Sequence, residues 1–149
     1  TPNGTYGVGD WTGPDQALWT TFNGATIPNS PITKVEVLIY GYVNKTLTND
    51  YGNIRIYYGN TRQGTIRSLS RAVLNTHVGA ANAGYWTVDV TTNRAWTAAD
   101  FTGDLELNWR CVRRGANDGG LLYLDSVAFR VTTAGNGAVT LGAFQEVIS

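Results

Sequence analysis

One cysteine and one histidine are the side chains best suited to nucleophilic chemistry in this sequence. Cys111 alternates with Leu107 and Trp109, which predicts a thiol buried on the apolar face of a strand, with little thiolate character. His77 lies in a separate polar segment, and a serine triad would need the same histidine. No Gly-x-Ser-x-Gly motif is present. We therefore predict no nucleophilic catalytic site, and the single cysteine and histidine exclude most zinc sites.

Paired carboxylates are the other group that could do chemistry, because a glycosidase needs only two of them. Asp100, Asp104 and Glu106 cluster in the sequence. Nothing in their surroundings marks one of them as desolvated, and a short β-fold leaves little room for a deep cleft. The sequence therefore predicts that the protein is not an enzyme and needs no cofactor for catalysis.

Asp125 is the one residue that indicates a metal ion. By strand parity it shares a face with Tyr123, Val127 and Phe129, and a carboxylate on an apolar face needs hydrogen-bond donors or a cation. A structural calcium ion is the candidate ligand. Two alternatives stay open: a bulge that turns Asp125 outward, or a hydrogen bond to a neighbouring strand or arginine.

Length and charge restrict the partners. The chain has 149 residues, enough for one domain with a core, and its 11 basic and 11 acidic residues cancel. A neutral chain exerts no bulk attraction on nucleic acid or an anionic membrane, so we expect neither a nucleic-acid partner nor membrane binding by charge. No stretch is apolar enough for a membrane span, and one cysteine excludes an internal disulfide framework.

Alternating apolar residues predict strands in most of the chain. The clearest segments are residues 34–43, 105–113 and 121–131, and shorter ones bring the total to about eight to ten. Thr97 and Asp100 have the spacing of a helix cap, which predicts one short helical turn. Many short strands and almost no helix favour an all-β fold, a single antiparallel sandwich or barrel.

Several segments carry a family resemblance. They are the Trp-x-x-Pro opening at residues 11–14, Ile27-Pro28 before the strand at residues 32–37, the turn at residues 96–101, and the strand at residues 121–129. In this order they resemble the jelly-roll surface modules of phage virion proteins and secreted surface proteins. The resemblance implies a jelly-roll sandwich. The closing strand is also similar to that of carbohydrate-binding modules with a related sandwich.

The sequence predicts that both ends of the chain are extensions of the sandwich. We expect an N-terminal arm at residues 1–16, the sandwich at residues 17–133, and a linker with a strand-forming tail at residues 134–149. The tail is too apolar to float in water and too short to form a core, so it must dock on its own sheet edge or on a neighbour's. Our hypothesis is that both ends carry inter-subunit contacts.

The predicted surface is rich in aromatic residues and arginines. If Val35, Val37 and Ile39 face the core, the alternate residues of that strand form a recognition surface for protein or sugar, which we expect to lie under protein. Arg110, Arg113 and Arg114 suit a rim of inter-subunit salt bridges. The predicted interface or glycan surface comprises Trp11, Leu38, Tyr40, Tyr42, Tyr57, Arg110, Arg113, Arg114, Val139, Leu141 and Phe144.

These features favour a non-enzymatic structural subunit of an extracellular assembly, either a virion decoration or fibre protein or a secreted filament subunit. Its partners would be copies of itself or other coat or filament proteins. The alternative is a carbohydrate-binding module of a larger secreted protein, and a small glycan-active enzyme ranks third. Asn3 and Asn44 match the N-glycosylation pattern. Two such matches are expected by chance in a chain rich in asparagine and threonine.

Overall fold

The computed structural model describes residues 6–12, 15–101, 104–144 and 146–148. They form two six-stranded antiparallel sheets packed face to face, so the predicted all-β sandwich is confirmed. The jelly-roll connectivity stays a prediction. The strands are β1 (Gly7–Asp10), β2 (Gln16–Trp19), β3 (Asn23–Gly24), β4 (Ile32–Val43), β5 (Tyr51–Tyr58), β6 (Thr61–Arg62), β7 (Arg67–Leu69), β8 (Gly84–Asp89), β9 (Leu105–Val112), β10 (Leu121–Thr133), β11 (Val139–Phe144) and β12 (Glu146–Ile148).

Each sheet is built around two long strands. Sheet A has the order β3-β11-β10-β4-β8, and β1 also pairs with β10. Sheet B has the order β12-β2-β9-β5-β6, and β7 also pairs with β5. The pairing of Val35 with Val131 and of Ile54 with Trp109 sets the register of the two central pairs.

The core lies between the sheets and follows the alternation of the sequence. In β4, Val35, Val37 and Ile39 are fully buried, and in β9 the buried residues include Leu107 and Trp109. Both faces of each central strand are thereby fixed, because neighbouring residues of a strand point to opposite sides. The outer face of each sheet carries the polar and tyrosine side chains discussed below.

Short helical segments connect the strands at three places besides the one α-helical turn. Residues 65–74 contain β7 followed by α1 (Arg71–Leu74), whose cap residue Ser70 accepts a hydrogen bond from Val73 N at 3.3 Å. The 3₁₀ segments are Ala80–Asn82, Thr91–Asn93 and Ala98–Phe101. The last one confirms the helical turn predicted from Thr97 and Asp100, since Asp100 Oδ2 accepts from Thr97 N at 2.8 Å.

The tail pairs with its own chain in this structure, and its contacts with other subunits stay a prediction. β11 lies between β10 and β3, and β12 pairs with β2. The reason is the segment at residues 134–137, expected to be a flexible linker. It is a hairpin turn in which Gly135 adopts φ 76°, and it brings Val139 opposite Val131.

The expected N-terminal arm also adds to the sandwich. β1 pairs with β10 from Gly7↔Leu124 to Asp10↔Leu121. Trp11 is 1% exposed, and its indole N–H donates to the carbonyl oxygen of Tyr51 at 2.7 Å. The described part of residues 1–16 is therefore anchored on the core of its own chain.

Candidate functional site

The outer face of sheet A carries a tyrosine cluster, which we define as Tyr6, Tyr40, Tyr42, Tyr85 and Tyr123. The register places Tyr42 opposite Tyr123, and Tyr40 opposite Tyr85. The Tyr42 and Tyr123 rings are stacked, with centroids 4.7 Å apart and planes 4° apart. The Tyr40 and Tyr85 rings have centroids 5.3 Å apart. Three adjacent strands thus place aromatic rings on one outer surface.

The rings of the tyrosine cluster pack against one another and stay partly exposed. Tyr6 packs edge-on against Tyr42 at 5.3 Å and against Tyr123 at 6.4 Å. Because Tyr42 and Tyr123 stack on each other, each has one ring face covered and unavailable for stacking on a sugar. Burial, followed by the neighbouring phenols, raises the pKa of Tyr42, so its hydroxyl stays neutral. Tyr85 is the most exposed of the cluster at 44%.

The remaining predicted aromatic and apolar interface residues lie elsewhere. Tyr57 is on the outer face of sheet B, opposite Glu106, so it does not join Tyr40 and Tyr42 as the sequence suggested. Leu38, Leu141 and Trp11 are buried within their own chain, at 3%, 7% and 1% exposure. They present no surface to a partner. Val139 is half-buried beside the core, and the side chain of Phe144 lies outside the described residues, as does Asn3.

The predicted arginine rim lies at one end of sheet B. Arg110 is exposed on the outer face of β9, where its Nε donates to Asn108 Oδ1 at 3.0 Å. Arg113 Nε donates to the carbonyl oxygen of Gly115 at 3.0 Å. The Arg114 guanidinium carbon lies 5.1 Å from the centroid of the Tyr51 ring. None of the three forms an ion pair with a described carboxylate.

A carboxylate clip, made by Asp118 and Asp50, fixes the loop beside these arginines. Asp118 Oδ2 accepts the backbone N–H groups of Thr48, Asn49 and Asp50 at 3.2, 2.8 and 2.7 Å. Its Oδ1 accepts the Thr48 hydroxyl. The fully buried Asp50 returns the contact, since its Oδ2 accepts Asp118 N at 3.1 Å. The sequence analysis missed this clip, although the Asn-Asp pairs at residues 49–50 and 117–118 are typical turn signals.

Hydrogen bonds set the charge of the carboxylate clip. Burial acts to raise the pKa of Asp118, but the bonds donated by Asp50 N, the Thr48 hydroxyl and Asn49 N outweigh it and hold the pKa well below its ordinary value. Asp118 is therefore ionised at neutral pH. Its charge serves to hold two loops together.

Cys111 and His77 contact different groups. Cys111 is buried as predicted, and its Sγ lies 3.4 Å from the indole nitrogen of Trp109. Burial raises the pKa of its thiol to about 12. The His77 ring nitrogens lie 2.9 and 3.0 Å from the carbonyl oxygens of Asn82 and Tyr85. The structure thus places the two candidate catalytic side chains in separate surroundings.

We expect Cys111 to resist thiol reagents in the native protein. Because the thiol is buried and its pKa is raised, labelling at neutral pH should be about 100-fold slower than in urea-unfolded protein. Timed labelling with a chromogenic disulfide reagent measures both rates. Cys111→Ala should also leave the oligomeric state unchanged. Labelling at similar native and unfolded rates would contradict the prediction.

The residues around Asp125 do not all lie on the face of β10 that strand parity predicts. A β-bulge between Leu124 and Ser126 interrupts the register with β4, so Tyr123 lies on the outer face while Val127 and Phe129 lie in the core. Asp125 itself is buried at the bulge. In the described part of the chain, no group of three or more histidine, cysteine or acidic side chains is placed to hold a metal ion. Calcium binding by Asp125 stays a prediction.

Comparison with known proteins found no matching family model, no similar curated protein and no similar solved structure. Within residues 6–12, 15–101, 104–144 and 146–148, no helix is both long and apolar enough to cross a membrane. The surfaces of the sandwich are therefore the candidate functional sites.

Sequence reasoning missed three members of the tyrosine cluster. Tyr85 could have been found, because the alternation of Trp86 and Val88 predicts the inner face of a strand, and Tyr85 next to Trp86 then lies on the outer face. Tyr123 was assigned to the wrong face because the bulge at Asp125 changes the parity of β10. Tyr6 is brought to the cluster by the pairing of β1 with β10, which no local pattern indicates.

Proposed function

We propose that this protein is a non-enzymatic structural subunit of an extracellular assembly, either a virion decoration or fibre protein or a secreted filament subunit. The tyrosine cluster on sheet A carries the proposal. Tyrosine combines a large apolar ring with a polar hydroxyl at low entropic cost, which is why it is enriched where proteins contact each other. We place the assembly contact on the outer face of sheet A, and contacts made by the ends of the chain stay a prediction.

The stacked geometry favours a protein partner over a sugar. Tyr42 and Tyr123 cover each other, and Tyr6 packs edge-on against both. The interlocked rings form a partly exposed aromatic surface, and Tyr85 is its most exposed member. Such a surface suits the flat, partly polar face of another sheet. The net charge of zero means that two copies of the chain do not repel each other at long range.

Removing Tyr40 and Tyr85 together tests the proposal. We expect Tyr40→Ser together with Tyr85→Ser to weaken self-association about 30-fold or more, the size of an interface hot spot. Sedimentation velocity over a concentration series measures the change. Tyr57→Ser is the matched control, because it removes a half-buried tyrosine from the outer face of sheet B, and it should assemble like the original chain.

Two results would count against the proposal. One is a chain that stays monomeric at the highest concentration. The other is self-association that is equal in the Tyr40→Ser, Tyr85→Ser variant and in the Tyr57→Ser control. If the tyrosine variant instead assembled normally and lost binding to a neutral glycan, the alternative of a carbohydrate-binding module would replace the structural role.

A further inference from the structure

Positive charge is unevenly distributed over the sandwich. Arg94 and Arg130 each form an ion pair at 3.0 Å, with Asp100 and Glu36. Other arginines lie on the outer face of sheet B or at its end. We call this set the arginine face, and it comprises Arg55, Arg62, Arg71, Arg110 and Arg114. Although the chain is neutral as a whole, one surface is therefore basic.

Strand register places the central members of the arginine face side by side. Asn53 is opposite Arg110, and Arg55 is opposite Asn108, so the two arginines are diagonal neighbours. Arg62 continues the row, because it is opposite Tyr57. The side chains between them in β5, Ile54 and Ile56, point into the core, which fixes this set on the outer face.

Side-chain amide oxygens, rather than carboxylates, accept hydrogen bonds from Arg55 and Arg110. Arg55 Nη1 donates to Asn53 Oδ1 at 2.7 Å, and Arg110 Nε donates to Asn108 Oδ1 at 3.0 Å. Burial, followed by repulsion from Arg110, lowers the pKa of Arg55. Glu106 lies on the same face, yet no ion pair joins it to an arginine within the described residues. Amide oxygens thus position Arg55 and Arg110, and among the described residues no carboxylate forms an ion pair with a member of the arginine face.

An open cleft continues the arginine face at the end of β5. Its volume is about 380 Å³. Its polar lining consists of Asn49, Tyr51, Ser68, Ser70, Arg71 and Arg114. Ser68 is opposite Asn53, so the cleft and the face are continuous. The Asp118 carboxylate beside the cleft is already satisfied by the donors of the clip.

We propose that the arginine face and this cleft bind an acidic polysaccharide through its carboxylate groups. Guanidinium groups bind carboxylates in pairs of parallel hydrogen bonds, and the amides and serine hydroxyls match the hydroxyl groups of a sugar. The Arg114 guanidinium lies over the Tyr51 ring, which makes that ring a poor platform for a nucleic-acid base. The site is separate from the tyrosine cluster and does not depend on the proposed assembly.

Titration calorimetry with polygalacturonate oligosaccharides tests the site on the intact protein. The original chain should bind, and the affinity should fall as sodium chloride is added. Arg55→Gln and Arg110→Gln should each weaken binding about 10-fold or more. Lys45→Gln is the charge-matched control, since it removes one exposed cation outside the face and should bind like the original chain. Neutral dextran should not bind.

Three outcomes would overturn this proposal. They are no binding of polygalacturonate by the original chain, equal losses in Lys45→Gln and Arg110→Gln, and tighter binding of an oligothymidylate of equal charge. The last result would assign the face to nucleic acid. Each outcome leaves the self-association measurements with the tyrosine variants unaffected, so the two proposals fail separately.

Discussion

Replacing Asp118 with alanine is expected to lower the free energy of unfolding by about 2–4 kcal/mol. The carboxylate accepts three consecutive backbone N–H groups at 3.2, 2.8 and 2.7 Å, and alanine leaves them without that acceptor. The loop that carries the fully buried Asp50 would then open. Urea denaturation measures the loss. Asp104→Ala, which removes an exposed carboxylate at the start of β9, should change stability by less than about 0.5 kcal/mol.

The loss of stability caused by Asp118→Ala should depend on pH. Hydrogen bonds hold the pKa of Asp118 below its ordinary value, so the folded state favours the ionised form. The stabilisation is complete above the unfolded value of about 4 and is lost as the pH falls towards the folded value. The stability difference between the original chain and Asp118→Ala should therefore be constant from pH 7 to about pH 5, and shrink below pH ~4. A difference that grew on acidification would contradict the assignment.

Gly52→Ala is the second substitution with a large expected effect, about 3 kcal/mol of destabilisation. A methyl group at this position would lie 2.0 Å from Trp109 Cη2 and 2.2 Å from Cζ2. The Trp109 ring is 1% exposed in the middle of the core, so it cannot move aside without disturbing its neighbours. Thermal and urea unfolding measure the loss. Gly137→Ala is the control, because no atom lies within 4 Å of the added methyl group.

A double variant identifies the clash as the cause. Trp109→Phe removes the part of the ring that the new methyl group would meet. In that background, Gly52→Ala should cost less than about 1 kcal/mol, so the two substitutions should be strongly non-additive. Additive losses would show that Gly52 is required for another reason, and the close approach to Trp109 would not explain it.

The strands could be predicted from the sequence wherever one face is apolar and the other polar. β4 and β9 follow from this alternation, and their core residues, such as Val37 and Leu107, are buried as expected. The pairing of strands could not be predicted, because backbone hydrogen bonds between strands carry no local sequence signal. The hairpin of β10 with β11 is the clearest example. Its glycine-containing turn was interpreted as a linker, since glycine suits both.

The candidate surfaces were predictable only in part. Tyr40 and Tyr42 were placed on an outer face from parity alone, and the structure agrees. Their aromatic neighbours come from other strands, so the cluster depends on pairing. The bulge at Asp125 is the feature that parity cannot anticipate, because one extra residue exchanges the faces of everything before it. The arginine face could not be predicted either, because strand pairing brings its members together. They are distant in the sequence, and the net charge of the chain is zero.

The position of β11 has a consequence for synthesis of the chain on the ribosome. β3 has its sheet partner in residues 141 and 142, so sheet A cannot be completed until those residues have been made. β2 likewise waits for β9 and for residues 146–148. A fold with such distant pairings folds slowly and late. Until then the edge of β10 that pairs with β11 is unpaired in the nascent chain, so we expect expression at low temperature or with a chaperone to raise the yield of soluble protein.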